Sequence, residues 1–291
     1  MKKLILLVSL LSFSMHSQNV TVNSGRSFTI QSTSSLTVGG NFTNTAGTVT
    51  LNSSSDEFSS LLVSGASSGD ITYNRYVNIV GTGDWDLVGA PVSGMAFSSL
   101  ITDANIATNG SGVYAVGAYD NSLDTWTNAT NATTGDLALG QGYQMATTNG
   151  GTLSFTGAIA NGDQSVIINN NNAANSGSGR RWNLIANPFA SYLHGNTNAD
   201  GTNNFLTVNT AAIDDNFEAI YGWKADGTGY EIYNNSSTTT YIAPGQGFFV
   251  AAAGSGADQT ISFTQAMQTV TGADDFISGR IMNPTSSEFL L

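Results

Sequence analysis

Trp85-Asp86-Leu87-Val88-Gly89-Ala90-Pro91 returns 97 residues later as Trp182-Asn183-Leu184-Ile185-Ala186-Asn187-Pro188. Trp and Pro stand six apart in both copies. Three further landmarks repeat in the same order. Gly140-Gln141-Gly142-Tyr143 matches Gly245-Gln246-Gly247-Phe248, and Ser154-Phe155-Thr156 matches Ser262-Phe263-Thr264. Between them, Tyr119 and Trp126 are seven apart, as are Trp223 and Tyr230. Four ordered matches describe a tandem duplication of a unit of about one hundred residues, a size that can hold its own core.

Each copy reads as β-structure. Trp-x-Leu is a strand with one buried face, and the Pro beyond it ends the strand. The aromatic pairs flank polar Gly, Asn or Asp turns, as in a hairpin. Gly-Gln-Gly stands just before an apolar run, and its glycines suit the positive φ of a tight turn or bulge. Residues 211–220 are the best helix candidate. The spacing therefore predicts an all-β protein with sandwich-like sheets in each unit.

Outward toward the N-terminus, apolar residues alternate with Ser and Thr from Asn19 to about Gly69. Phe28 and Ile30, Leu36 and Val38, and Val49 and Leu51 each sit two apart. This is the period of half-buried strands. The segments 27–30, 35–38, 41–44 and 48–51 start 8, 6 and 7 residues apart. Two readings fit: a small parallel β-solenoid in which each short strand stacks on the last, or consecutive tight hairpins. So few rungs cannot close their own core, so the segment is expected to pack on the chain downstream of it. The chain starts Met1-Lys2-Lys3, then runs apolar or small from Leu4 to Met15 and turns polar at His16-Ser17. That pattern predicts a secretory leader cleaved between Ser17 and Gln18. The expected organisation is a leader over 1–17, a strand-rich segment over 18–70, β-units over 71–160 and 161–270, and a tail over 271–291.

Charge and composition exclude several functions. Eight basic and twenty acidic side chains give a formal charge of −12 and a pI near 4.1. Nucleic-acid binding is not expected, because phosphates are neutralised by Lys and Arg. Absence of Cys removes disulfides, thiolate zinc sites and cysteine nucleophiles. Beyond the leader no stretch is apolar enough to cross a bilayer as a helix, and no basic amphipathic helix is visible. Direct membrane insertion is therefore not expected.

Arg180-Arg181-Trp182-Asn183-Leu184-Ile185-Ala186-Asn187-Pro188-Phe189 and Ala243-Pro244-Gly245-Gln246-Gly247-Phe248-Phe249-Val250 resemble a module of secreted proteins from flavobacteria and related Bacteroidota. Val38-Gly39-Gly40-Asn41-Phe42-Thr43-Asn44 is similar to the strand-rich opening of the same proteins. The likeness runs from about Asn19 to Gly279. It implies export by the type IX route and an extracellular or cell-surface location, with adhesion or glycan contact as the inferred role. Such proteins usually end in a sorting domain. Here the chain stops at Phe289-Leu290-Leu291 without one, which points to a fragment or to another export route.

Chemistry-bearing residues are sparse. Beyond the leader, His194 is the one histidine. Gly65-Ala66-Ser67-Ser68-Gly69 has the letters of a nucleophile elbow but not the strand-to-helix context the elbow needs. Paired carboxylates that could serve glycoside hydrolysis are Asp84 with Asp86, Asp120 with Asp124, and Asp214 with Asp215; each also reads as a solvated turn. Asn196-x-Asn198-x-Asp200-Gly201 has the first half of a calcium loop, with Thr207 where the bidentate Glu belongs. Asn196, Asn198 and Asp200 are thus a weak calcium candidate or an Asx-turn loop, and no other cofactor is expected. Trp126, Trp223, Tyr230 and Tyr233 could present flat faces to sugar rings, or pack in a core. The chain is accordingly expected not to be an enzyme. Two classes stay open: a structural or adhesion protein contacting extracellular polysaccharide or other surface proteins, and a polysaccharide-active enzyme or its binding accessory.

Overall fold

The computed structural model describes residues 18–81, 85–171, 179–224, 228–254 and 256–276; the leader and most of the expected tail lie outside them. The protein is all-β, with several sheets and, among the described residues, no closed barrel. The N-terminal strands are β1 (Val20–Asn23), β2 (Ser27–Ile30), β3 (Ser35–Val38), β4 (Phe42–Thr45), β5 (Thr48–Asn52), β6 (Ser60–Val63), β7 (Ser67–Ser68) and β8 (Asp70–Tyr76). They pair in parallel as β1-β4-β7, β2-β5-β8 and β3-β6. This is a solenoid, not a run of hairpins. Its stacking differs from the expectation, though, because no strand lies on the one before it. Val20 sits beside Phe42, Ser27 beside Thr48 and Ser35 beside Ser60, so one coil takes 21 to 25 residues and three strands.

Each coil turns apolar side chains inward: Val22, Ile30, Val38, Phe42, Val49, Leu51, Leu61 and Val63 are all buried. Amide side chains bridge successive coils at the corners. Asn41 N–H donates to Asn19 Oδ1 at 2.8 Å, and Ala66 N–H donates to Asn41 Oδ1 at 2.9 Å. Asn74 donates to Asn52, which donates to Gln31. Stacked amides of this kind satisfy one another from coil to coil. The last coil does not end in an open edge. Its strand β8 pairs antiparallel with β13 (Thr152–Ala158), so the first repeated unit caps the stack.

The strands of the first unit are β9 (Asp86–Val88), β10 (Val113–Asp120), β11 (Thr125–Thr130), β12 (Tyr143–Met145) and β13. The second holds β14 (Gln164–Asn169), β15 (Trp182–Ala186), β16 (Tyr192–His194), β17 (Ile220–Trp223), β18 (Tyr230–Tyr233), β19 (Tyr241–Ile242), β20 (Gly247–Ala251) and β21 (Asp258–Phe263). The inner sheets are β11-β10-β12-β9 and β18-β17-β20-β15, which is one strand order written twice. In both, the Trp-x-Leu strand is the edge and pairs antiparallel with the strand after Gly-Gln-Gly. In both, a flanking pair is added: β8 with β13, and β14 with β21. A short helix comes after the first inner strand each time, α1 (Phe97–Leu100) and α2 (Phe205–Asn209). The strands β19-β16-β22, with β22 (Gln268–Thr269), have no named counterpart in the first unit.

The helix does not cover 211–220 as expected. It starts earlier because the Asn204 side chain caps it, accepting from Thr207 N–H at 2.9 Å, and it is over by Thr210.

The two units meet through reciprocal backbone contacts. Gly89 N–H donates to Gly245 O, and its counterpart Ala186 N–H donates to Gly140 O, both at 2.8 Å. Val88 bridges to Gln246, and Gln141 bridges to Ile185. Each Gly-Gln-Gly turn thus grips the other unit's Trp-x-Leu strand. The first glycine of each turn has positive φ, 77° at Gly140 and 65° at Gly245, as expected. The second does something else: a Cβ on Gly247 would lie 2.6 Å from the Leu87 carbonyl carbon, and one on Gly142 would lie 2.6 Å from Leu184 Cγ.

Arg75 ties the solenoid end to the second unit. It is fully buried and pairs with buried Asp275 at 2.6 Å. Its Nε donates to Pro244 O and its Nη1 to Tyr76 O, and its guanidinium lies 4.1 Å above the Phe58 ring. Beside it, Tyr192 donates its hydroxyl to Phe58 O.

Two measurements check this packing. Gly247→Ala should lower stability by about 1–3 kcal/mol, because its Cβ meets only backbone; Gly201→Ala, which meets nothing within 4 Å, should change little. Chemical denaturation of both variants reads the difference. Burial pushes the Tyr192 and Tyr233 phenols up to about 12, above their ordinary 10.0. The folded state therefore holds these protons more tightly than the unfolded state, and their contribution is complete below pH 10 and lost as pH rises toward 12. Melting temperatures should fall across that window, less steeply in Tyr192→Phe.

Candidate functional site

Period-two geometry places residues seven apart across a hairpin directly opposite one another when the turn takes up the difference. Tyr119 faces Trp126 across β10 and β11, and Trp223 faces Tyr230 across β17 and β18. The two hairpins converge on Phe249 of β20. Its ring centroid is 5.3 Å from Tyr119, 6.2 Å from Trp126 and 5.9 Å from Tyr230. Between them opens a cleft of about 510 Å³, lined also by Asp124, Trp182, Tyr221 and Ile232. Of the six exposed large hydrophobic side chains among the described residues, Trp126, Tyr230 and Ile232 line this one cleft. A concentration of that kind marks a binding surface more than scattered apolar residues do.

The first hairpin is held in place by its turn. Asn121, 8% exposed, donates to Asn169 O, Arg180 O and Asn183 Oδ1 of the second unit. Asp120 Oδ1 accepts from Ser122 N–H and hydroxyl. Asp124 closes the turn with φ at 57°, and Tyr119 donates its hydroxyl to Asp124 Oδ1 at 2.7 Å. Burial, then the Asp124 carboxylate, push the Tyr119 phenol far above its ordinary range; the same two causes raise Tyr230. Both phenols are therefore protonated, neutral hydrogen-bond donors at any physiological pH.

The four aromatics singled out from the sequence divide. Trp126 and Tyr230 line the cleft. Trp223 stands behind Tyr230, edge to face at 5.1 Å, and packs with Leu87, Leu184 and Phe249. Tyr233 lies three residues along the strand from Tyr230, hence on the opposite face, where it stacks on Phe276 at 4.6 Å. Sequence reasoning missed Trp182, Tyr221, Ile232 and Phe249 as cleft residues. One signal was available for Phe249, since Gln144 occupies its place in the first unit.

Asn196, Asn198 and Asp200 share a loop but use their polar atoms on the protein itself. Asn196 is fully buried; its Nδ2 donates to Asn234 O, Ser237 O and Thr238 O, and its Oδ1 accepts from Ala199 and Thr240 N–H. Asn198 Nδ2 also donates to Ser237 O. Asp200 Oδ1 accepts from Thr202 and Asn203 N–H, which hold its carboxyl below the usual range. This is the hydrogen-bonded Asx-turn geometry.

The paired carboxylates are engaged in different ways, Asp120 and Asp124 within the first hairpin's turn. Asp84 lies outside the described residues. Asp86 is buried and accepts from Asn78 N–H. Asp214 pairs with Arg181 at 2.5 Å and caps the turn that contains Asp215. His194 is half-buried beside Tyr241, and burial lowers its pKa. Ser67 sits on a solenoid strand. Among the described residues, no three His, Cys, Asp or Glu side chains gather where they could hold a metal, and no helix is long and apolar enough to cross a membrane.

The chain belongs to the family described as Domain of unknown function (DUF8693), whose model matches residues 7–287. No curated protein and no solved structure matches it.

Asn196→Asp separates the two readings of the loop. In a calcium loop an Asp at this position adds ligand charge and affinity. In the observed geometry it loses a donor that three carbonyls share and buries an unpaired charge. The variant should be destabilised by about 3 kcal/mol or more, read from thermal melts with and without millimolar calcium.

Proposed function

We propose that this chain is an exported, non-catalytic β-protein of a bacterial cell surface or its surroundings, and that its aromatic cleft holds polysaccharide. The observation that carries the binding reading is the gathering of Trp126, Tyr230 and Ile232, all exposed, on a cleft walled by both units. Sugar rings have apolar faces that stack on aromatic side chains, and rim hydroxyls find donors such as the Tyr phenols. The rings are set on strands, with Asn121 fastening the hairpin turn, so little ordering is left to do on binding.

Export rests on the leader pattern over residues 1–17 and on the resemblance to secreted flavobacterial proteins, which also implies the type IX route and a surface location. A rigid solenoid capped by two fused units suits a protein that displays a surface. N-terminal sequencing of material recovered from outside producing cells tests the export part, with Gln18 as the expected first residue.

Trp126→Ala should weaken binding to the preferred polysaccharide about tenfold, the equivalent of ~1.4 kcal/mol for one lost stacking face. Trp126 is 39% exposed and packs on Tyr119 and Phe249, so the variant should also lose about 1–3 kcal/mol of stability and is assayed well below its melting temperature. Affinity electrophoresis across a panel of neutral, acidic and amino polysaccharides, with this variant run beside the parent, is the measurement. A panel without a single retarded lane removes the binding part of the proposal.

A further inference from the structure

Tyr119 and Trp126 lie 5.1 Å apart at 51° to each other, so these two rings do not make one flat platform. Tyr119, Trp126 and Tyr230 stand at 86°, 83° and 86° to Phe249, so their planes cross its plane instead of lying side by side with it. A flat platform suits the face of a sugar ring. Aromatic rings inclined to one another along a cleft suit a compact positive group, which the negative face of a ring attracts.

Charge points the same way. Asp124 is the one ionisable acid or base on the wall besides the phenols, and the lining holds no Lys, Arg or His. A carboxylate has about four lone-pair sites, of which Tyr119 uses one. The basic side chain of the second hairpin, Lys224, faces Glu231 at 3.9 Å and takes no part in the lining. The chain as a whole carries −12, which draws cations toward it and repels acidic polymers. The duplication sharpens the assignment. Aligning Tyr119 and Trp126 with Trp223 and Tyr230 puts Lys224 and Thr228 where the first hairpin has Asp120 and Asp124. The acid is thus a property of the hairpin that brings Trp126 to the cleft, not of the repeat.

We propose that the cleft takes an ammonium group, carried by an amino-sugar polymer, over the faces of Trp126, Tyr230 and Tyr119 and against the Asp124 carboxylate. This rests on the polysaccharide reading above and narrows it to one chemical class.

The test is calorimetric titration of the whole chain with two chito-oligosaccharides of equal length, one with free amines and one fully N-acetylated, at a pH where the amines are protonated. A neutral glucan oligomer serves as a third ligand. The free-amine form should bind about tenfold more tightly than the acetylated form, or better, and added salt should narrow that gap. Asp124→Asn is the informative variant. Asn is at home at φ 57° and can still accept from Tyr119, so the turn is retained while the charge is lost. It should reduce the preference for the free amine over the acetylated form about tenfold. Trp126→Ala should weaken the free-amine ligand about tenfold.

Equal binding of the two oligosaccharides, or binding of the neutral glucan alone, overturns the ammonium assignment and leaves the polysaccharide reading standing. A free-amine preference that survives in both Asp124→Asn and Trp126→Ala also overturns it, since the cation is then held by the acidic surface at large. Binding of none of the three, with no retarded polymer in the wider panel, overturns both readings.

Discussion

Two polypeptide backbones can run as close as Gly247 and Leu87 do only where one of them lacks a side chain. The rest of the molecule is arranged around that constraint. The turn before each inner strand reaches across to the other unit, and the hydrogen bonds of Gly89 to Gly245 and of Ala186 to Gly140 are the same bond made twice, once in each direction. Backbone bonds of this kind fix register as well as distance. Once they form, β20 must lie against β9, and Phe249 must project toward the hairpin of the first unit. The cleft is therefore a consequence of the unit interface, not an addition to it.

A second constraint sets the third body. A guanidinium taken fully out of water loses several kcal/mol of hydration, and its partners must replace all of it. Arg75 has Asp275, two carbonyl oxygens and the Phe58 ring. Those partners come from the strand it sits on, the solenoid, the Gly-Gln-Gly turn of the second unit and the last described residues of the chain. The ion pair can be satisfied only when all four are in place, which makes it a device for joining parts more than a source of net stability. The parallel stack gains in turn. So few coils bury too little to stand alone, but β13 covers the open strand and the second unit covers the side face through Leu61 and Ala190.

Much of this was legible in the sequence because duplication compares the chain with itself. The Trp-to-Pro and Gly-Gln-Gly landmarks located the inner sheets, and the seven-residue aromatic spacing located both hairpins. The reading failed where local pattern is silent about partners. Alternation shows which face of a strand is buried but not which strand lies beside it, so neither reading from the sequence, rungs of 6 to 8 residues or tight hairpins, matches the observed coil of 21 to 25 residues. The loop at Asn196 stays open between an Asx-turn and a weak calcium candidate in the sequence, because both draw on the same side chains; the distant carbonyls of Asn234, Ser237 and Thr238 show what its amide bonds to. Tyr233 could have been set apart from Tyr230 on parity alone, since positions three apart on a strand face opposite ways. Trp182 and Tyr221 could not have been found, because they join Phe249 through the strand order of the second unit's sheet, which local pattern does not show.

The duplicated scaffold and the aromatic cleft stand in tension, and the tension is resolved at two positions. A symmetric pair of units would build two equivalent clefts if the copies were identical. Phe249 is the hub of one; its counterpart Gln144 instead donates to Asn128, filling the corresponding place with a hydrogen bond where an aromatic face would be needed. Asp124 lines the cleft from the first unit, while Thr228 holds the matching position in the second. Neither copy contains the site, because the hub belongs to one and the acid to the other. Divergence at interface-facing positions thus converts a symmetric repeat into an asymmetric one without disturbing the glycine contacts that both halves need. A duplication kept for stability alone would have no reason to place its unlike residues on either side of one opening.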